Sequence, residues 1–190
     1  MAKPYHPTRM MPATKAVELP VGTLAEALPL LRRPFTPEAV KFKVQSVFKD
    51  AKGCVIVSYI DARLVIERLN LVAGPCWNAT YIPDEKVMWC RLQVFDVIRC
   101  DVGEGGGIAA EKARVSDSLK RAAVHFGVGV SVYAVPQITL FNDGKHNWLR
   151  KAGQSLALTD DGRVKLRDGY AKWLERQTNF GEPLDHGDVA

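Results

Sequence analysis

The segment GEGGGIAAEKARVSDSLKRAAVHFGVG, residues 103–129, joins a glycine-rich stretch to a run with helical spacing. One side of that run is apolar and consists of Val115, Leu119, Ala122 and Phe126. The other side is polar and carries Arg114, Asp117, Ser118 and Arg121, with Lys120 at its flank. Apolar residues at this period predict an amphipathic helix over about residues 109–126 whose apolar side packs on a core. This helix presents two adjacent cations near its end.

Alternating segments before this helix predict antiparallel strands. Residues 40–48 and 54–60 have the period of two that is typical of half-buried strands. Residues 76–83 and 86–100 predict a long hairpin that turns at residues 84–85. Its second strand has apolar residues on both faces and is expected to be covered on both sides. The order of elements predicts an α+β fold in which an antiparallel β-sheet of hairpins packs against the long helix.

Helices and a further hairpin are predicted elsewhere in the chain. Thr23 and Glu26 form the pattern of a capping box, which predicts a short helix. Asp61 is the expected N-cap of a helix over residues 62–74. Residues 130–141 look extended with an interruption at Pro136.

The C-terminal region predicts a hairpin followed by a helix. Residues 155–166 contain the pair Asp161-Gly162, which is typical of a hairpin turn. Residues 168–181 predict a final amphipathic helix that carries Tyr170, Trp173 and Leu174.

These elements divide the chain into three parts. Residues 1–20 hold four prolines without periodicity and predict a flexible arm. Residues 21–141 form the predicted core domain, and residues 142–190 a C-terminal hairpin-helix extension with a disordered tail.

Composition favours an intracellular protein with an anionic partner. The chain has 190 residues and a net charge of +5, which favours anionic polymers such as phosphate backbones as partners. Its 4 cysteines form no CxxC pair, so neither a zinc site nor a disulfide framework is expected. No signal peptide or membrane span is recognisable, and the expected location is the cytoplasm.

The sequence offers little support for catalysis, and we expect a protein that is not an enzyme and has no cofactor. The GEGGG stretch fits neither nucleotide-binding spacing, because no Lys or Thr follows where a phosphate loop needs one. It is instead predicted to be a flexible connection between a strand and the helix, because consecutive glycines maximise backbone freedom. One alternative stays open, a metal-dependent nuclease built around Asp96, Asp101 and Glu104.

Basic and aromatic residues interleave along the predicted domain. Binding of single strands needs this combination, because cations follow the phosphates and aromatic rings stack on bases. The candidate DNA-binding residues are Lys41, Lys43, Tyr59, Arg63, Arg114, Lys120 and Arg121.

In their order along the chain, these segments resemble the Rad fifty-two family of single-strand annealing proteins, especially its short bacteriophage members. The similar stretches are PEAVKFKV, YIDARLVIERLNLVAGPCWNATY and EKARVSDSLKRAAVHFGVG, which together with the strand pair between them cover about residues 30–133. The resemblance implies an ATP-independent protein of recombination and repair that assembles as a ring and holds one DNA strand in a basic groove. It also implies a phage exonuclease or a host single-strand-binding protein as partner, in the cytoplasm of a bacterial host.

The resemblance also implies roles for individual residues. The family's inner-groove lysine and arginine correspond to Lys120 and Arg121, and its groove tyrosine to Tyr59. A basic residue of the first strand, usually arginine, corresponds to Lys43, which lacks the bidentate geometry of arginine. The family's outer DNA site depends on lysines that cannot be assigned in the shortened stretch 101–107.

A second alternative is a plain module that binds single-stranded DNA or RNA without annealing it. Titrated annealing of complementary oligonucleotides separates the two, because a simple binder protects strands and slows their pairing.

Overall fold

The computed structural model describes residues 22–49, 52–105, 109–153 and 155–184. The predicted arm at residues 1–20 and the last six residues, 185–190, lie outside the described part of the chain.

The described chain is a mixed α+β fold, as the sequence predicts. Its five helices are α1 (Leu24–Leu31), α2 (Ala62–Ala73), α3 (Ala110–Val124), α4 (Val130–Tyr133) and α5 (Asp160–Leu174) within the described ranges. Its strands, over the same ranges, are β1 (Lys41–Val47), β2 (Gly53–Tyr59), β3 (Trp77–Asp84), β4 (Val87–Val94), β5 (Val97–Glu104), β6 (Ile138–Phe141), β7 (Leu149–Ala152) and β8 (Ser155–Leu158).

Three small antiparallel sheets organise these strands. Their orders are β1–β2–β6, β3–β4–β5 and β7–β8. The helix α3 packs along β5 and β4, and its apolar residues Leu119 and Ala122 are buried there. The sequence therefore predicted both the long helix and its packing on the hairpin sheet, and both predictions are confirmed.

The approach of α3 to β5 depends on Gly103. A Cβ atom at this position would lie 2.3 Å from both the carbonyl oxygen of Arg114 and the backbone nitrogen of Ser118. No side chain fits in that space, so glycine lets the helix backbone touch the strand. The sequence prediction of GEGGG as a plain flexible connection is wrong for this first glycine, which is a strand residue; residues 106–108 lie outside the described chain.

The predicted strand over residues 86–100 is two strands. Phe95 has φ of 53°, and this left-handed residue turns the chain between β4 and β5. Alternation alone did not reveal the turn, because apolar residues continue on both sides of Asp96, at Phe95, Val97 and Ile98. The expected coverage of this strand on both faces is also wrong, since β4 alternates between buried and more exposed residues.

Two further predictions are corrected after α3. Residues 130–133 form the short helix α4, and only residues 138–141 are a strand. Asp161 and Gly162 lie in the first turn of α5, where the Thr159 hydroxyl accepts a hydrogen bond from the backbone of Gly162. The predicted Asp-Gly hairpin turn is therefore a capped helix start. The hairpin that exists there, β7–β8, comes earlier.

The helix starts near the candidate site differ in how they are capped. The capping box of Thr23 and Glu26 is confirmed on α1. Asp61 occupies the N-cap position of α2, but its side chain makes no cap hydrogen bond. Its carboxylate instead pairs with Lys41 on β1.

Trp77 is predicted to be structural. Its ring packs against the core, and its Nε1 donates a hydrogen bond to Oδ1 of Asn70 on α2, 2.8 Å away. Because the ring is only half-buried, we expect Trp77→Ala to lower the free energy of unfolding by about 2 kcal/mol, less than for a fully buried ring. Urea unfolding measures this loss, with Val164→Ala, at an exposed apolar position of α5, as the control. An unchanged unfolding midpoint together with lost DNA binding would contradict the structural role.

Candidate nucleic-acid interface

Three candidate residues meet on the exposed face of β1 and β2. Lys41 lies opposite Tyr59 in the strand register, and Lys43 lies opposite Val57. The Nζ of Lys43 is 5.5 Å from the centroid of the Tyr59 ring, within cation–π range. We call Lys41, Lys43, Tyr59, Asp61 and Arg63 the strand patch.

Asp61 controls the charge of part of the strand patch. Its hydrogen bond with Lys41 is the main cause that raises the pKa of that lysine, while nearby Arg63 opposes the shift. Lys43 differs, since its ammonium has no carboxylate partner among the described residues. Lys43 and Arg63 are therefore the cations of this patch that a phosphate meets without displacing a carboxylate.

The predicted pair Lys120 and Arg121 lies on the last turns of α3, but the two side chains differ. Lys120 is only 22% exposed and its Nζ lies 3.6 Å from Oδ1 of Asp117, one helical turn earlier. Arg121 is 50% exposed and its Nε donates to Oδ1 of Asp101, 3.1 Å away. Arg121 is thus the more accessible cation. With its Nε engaged, its terminal nitrogens stay available for a phosphate.

Asp101 on β5 ties this end of α3 to the sheet. Its second carboxylate oxygen lies 3.0 Å from Nε2 of His125, and its first also accepts from the backbone of Val102 at 2.7 Å. We call Lys120, Arg121, His125, Asp101 and Asp117 the helix patch. One carboxylate therefore holds two side chains of consecutive helical turns in place.

The pKa of Asp101 is lower than usual for an aspartate. Partial burial opposes the shift, but the hydrogen bonds from Val102, His125 and Arg121 outweigh it. A lowered native pKa means that these interactions stabilise the fold above the unfolded pKa of about 3.9, and that this stability is lost as the pH falls through the native pKa.

We expect Asp101→Asn to lower the free energy of unfolding at neutral pH by about 1 kcal/mol, because neutral amides accept weaker hydrogen bonds than carboxylates. The acid-side slope of stability should flatten in the variant. Thermal unfolding from pH 2 to pH 7 measures both effects. An unchanged slope below pH 4 would show that another carboxylate dominates acid unfolding.

Tyr133 on α4 was missed in the sequence. It is 60% exposed and lies near Arg121, whose pKa is raised mainly by the hydrogen bond to Asp101 and to a smaller extent by nearby Asp117 and Tyr133. It also lines the same groove as Val57 and Ser58 of β2, whose hydroxyl bonds the Val132 carbonyl at 3.0 Å. Tyr133 therefore lies near Arg121 of the helix patch and beside β2, the strand that carries Tyr59 of the strand patch. The sequence predicted that residues 130–141 are extended, and a single tyrosine in such a segment does not indicate where its ring lies.

Arg114, the remaining candidate, lies apart from these patches. Its Nη1 donates to the carbonyl of Glu85 in the β3–β4 turn, 3.2 Å away, and its Nε is buried without a partner in the described structure. It is therefore held at the opposite end of α3 from Arg121.

The acidic residues of the nuclease alternative do not converge. Asp101 faces α3, whereas Glu104 lies on the other face of β5 and Asp96 lies in the β4–β5 turn. Within the described ranges, no group of three His, Cys, Asp or Glu residues could hold a metal ion. The same ranges contain no helix long and apolar enough to cross a membrane.

Two curated proteins are similar in sequence to this chain. A stretch of 132 residues, 64% of this chain, is 36% identical to the single-stranded DNA-binding protein DdrA of Deinococcus deserti and covers 64% of it. A stretch of 123 residues, 60% of this chain, is 32% identical to the single-stranded DNA-binding protein DdrA of Deinococcus radiodurans and covers 58% of it. No family model matches the chain, and no solved structure matches it significantly. The chain is thus homologous to DdrA over a stretch shorter than two thirds of either relative.

Proposed function

We propose that this protein binds single-stranded DNA and acts in DNA repair. The observation that carries the proposal is the pairing of Lys43 with Tyr59, an unneutralised cation beside an accessible ring. Phosphates and bases alternate along a single strand, so a surface that alternates cations and rings suits them both. The homology to two proteins named for single-stranded DNA binding supports the same conclusion.

The strand path in this proposal crosses both patches. Phosphates contact Lys43 and Arg63 on the strand side and Arg121 with Lys120 on the helix side. Tyr59 and Tyr133 supply faces for bases between them. Lys41 and Arg114 contribute less, since Asp61 neutralises the first and Glu85 holds the second away from the patches.

We further propose that binding leads to strand annealing in recombination, as in the phage recombinases that the sequence resembles. Neutralised phosphates lower the repulsion between two strands. Stacking in the new duplex, on the order of 1.4 kcal/mol per step, then drives pairing without nucleotide hydrolysis. In this role the protein works in a bacterial cytoplasm beside a phage exonuclease or a host single-strand-binding protein.

Assembly into a homo-oligomeric ring belongs to the same proposal. The face of the β3–β4–β5 sheet that points away from α3 exposes apolar side chains, among them Ile82 at 50% and Trp89 at 41%. Such a face is suited to contact with a second copy of the chain. Repeated grooves around a ring raise the effective concentration of DNA at each site.

Oligomeric state is expected to exceed a tetramer, and annealing should fall more steeply than protein concentration on dilution. Multi-angle light scattering measures the first and an annealing time course the second. A stable monomer that anneals efficiently at physiological salt would contradict ring assembly while leaving DNA binding intact.

Fluorescence anisotropy with labelled thymidine oligonucleotides tests DNA binding itself. We expect tight, salt-sensitive binding of single strands and weaker binding of a matched duplex. Complementary oligonucleotides then separate annealing from plain binding, because a protein that only covers strands slows their pairing. No binding of the oligonucleotide at low salt would refute the proposed function.

A further inference from the structure

A cleft of about 800 Å³ opens between α1, the end of α3 and residues 179–181. Its wall includes Leu28 of α1 and Arg32 directly after that helix, His125 and Gly127 after α3, and Phe180. Leu28 is exposed although it is apolar. The cleft therefore combines apolar surface with a guanidinium and an imidazole, which are groups that suit a base and its phosphate.

The charge of the cleft wall favours an anionic occupant. Two arginines and one histidine line it, and among the described residues its wall contains neither aspartate nor glutamate. Arg33 is engaged, since it donates to the carbonyls of Glu182 at 2.8 Å and Pro183 at 3.3 Å. These bonds fix the segment that closes the cleft. Arg32 has an exposed side chain without a hydrogen bond or ion pair in the described structure, so its guanidinium is available.

His125 connects this cleft to the helix patch. It lies one helical turn after Arg121, and Asp101 accepts hydrogen bonds from both side chains. A strand whose phosphate contacts Arg121 therefore reaches the cleft mouth at His125 within one nucleotide, because consecutive phosphates of an extended strand span more than one helical turn.

We propose that the cleft holds the nucleotides of the bound single strand that follow Arg121, with a phosphate on Arg32 and a base between Leu28 and Phe180. This inference rests on the proposed function and adds a specific extension of the DNA path. It assigns α1 and the C-terminal segment, which the sequence had not connected with DNA, to the binding surface.

The dependence of affinity on oligonucleotide length distinguishes binding in the cleft from binding at the two patches alone. For the whole wild-type chain, we expect affinity for thymidine oligonucleotides to rise with length until the cleft is filled. Arg32→Ala should bind short oligonucleotides like wild type, but should reach its plateau at a shorter length and with a salt slope about 0.7 smaller. Lys86→Ala is the matched control, because Lys86 is an exposed cation in the β3–β4 turn near the other end of α3. It should leave the length dependence unchanged.

A photoreactive side chain locates the strand independently of affinity. Leu28→p-benzoylphenylalanine should cross-link to long but not to short thymidine oligonucleotides, while the same group at the exposed position 86, in the β3–β4 turn, should not cross-link. If Arg32→Ala keeps the wild-type length dependence and Leu28 gives no cross-link, the cleft proposal is overturned. Binding that still depends on Lys43 and Arg121 would then leave the proposed function standing. If the wild-type protein binds no oligonucleotide, both the cleft proposal and the proposed function are contradicted.

Discussion

Arg68→Ala is expected to lower the free energy of unfolding by roughly 3–5 kcal/mol, a large part of the stability of a domain of this size. Arg68 lies on α2 and is fully buried. Truncation removes its hydrogen bonds and also leaves a cavity where the long side chain was. Urea unfolding of the purified variant measures the loss.

We expect this loss because Arg68 donates hydrogen bonds to several main-chain carbonyls. Its guanidinium donates to the carbonyls of Leu30 and Leu31 at the end of α1, and to those of Arg33, Pro34 and Leu184. It also lies 4.4 Å from the centroid of the Phe35 ring. The last carbonyls of a helix have no partner within the helix, and they lie at its negative end. Arg68 therefore joins α1, α2 and the C-terminal segment.

Burial lowers the pKa of Arg68 to about 10, with a smaller contribution from nearby Arg33. The side chain stays charged at neutral pH, where its desolvation costs free energy that the carbonyls and the aromatic ring offset. Because the native pKa lies below the unfolded one, this cost is present at neutral pH and declines as the pH rises through about 10.

Two further substitutions separate the contributions. Arg68→Met fills much of the volume without donating hydrogen bonds, so it should recover the cavity contribution alone. Arg63→Ala, an exposed arginine on the same helix, should change stability by no more than about 0.5 kcal/mol. If Arg68→Ala unfolds at the same urea concentration as Arg63→Ala, the carbonyl contacts do not stabilise the fold.

The second large effect is expected in DNA binding. The double variant Lys120→Ala, Arg121→Ala should bind thymidine oligonucleotides roughly 5- to 25-fold more weakly at 0.1 M salt. A full phosphate contact contributes a factor of about five there, and Lys120 contributes less than a full contact because it is already paired with Asp117. The slope of log affinity against log salt should fall by up to about 1.4. The fold should persist, since these side chains are not part of the buried stripe of α3.

The two single variants should differ. Arg121 is the more exposed, and its removal leaves the Asp101 carboxylate beside the strand. Lys120 is mostly covered and already paired with Asp117. We therefore expect Arg121→Ala to account for most of the loss.

Anisotropy titrations at several salt concentrations measure both quantities, with Lys86→Ala as the control for general loss of charge. Circular dichroism shows whether each variant remains folded. Unchanged affinity in a folded double variant would remove the helix patch from the DNA path, and Lys43→Ala would then show whether the strand patch acts alone.

Local patterns were sufficient for most elements of the fold. The apolar stripe of α3 and the alternation of β1 both arise because one side of each element is buried. Burial of that side determines the local residue pattern and also how the element packs in the fold. The capping box at Thr23 likewise involves only neighbours within one turn. Predictions failed where one local pattern fits two structures, as at Asp161-Gly162, which suits a hairpin turn and the first turn of a capped helix.

The candidate site was only partly accessible from sequence. Residue types and their order identified Lys43, Tyr59 and Arg121 as candidates. They did not show which of these cations is paired with a carboxylate. Position 68 carried a signal, because it falls between Val65 and Leu69 on the apolar side of α2. A cation at such a place predicts burial among polar partners, although not which ones.

The sequence by itself determined the α+β class, the long helix, the hairpins before it and the basic character of the surface. Periodicity and charge are properties of neighbouring residues, so they can be read without knowing what packs against them. Tertiary structure alone decided that Asp101 reaches across from β5 to orient Arg121 and His125, and that Tyr133 lies near Arg121 and beside β2. These contacts join residues distant in the chain, and their geometry exists only once α3 has packed on the sheet.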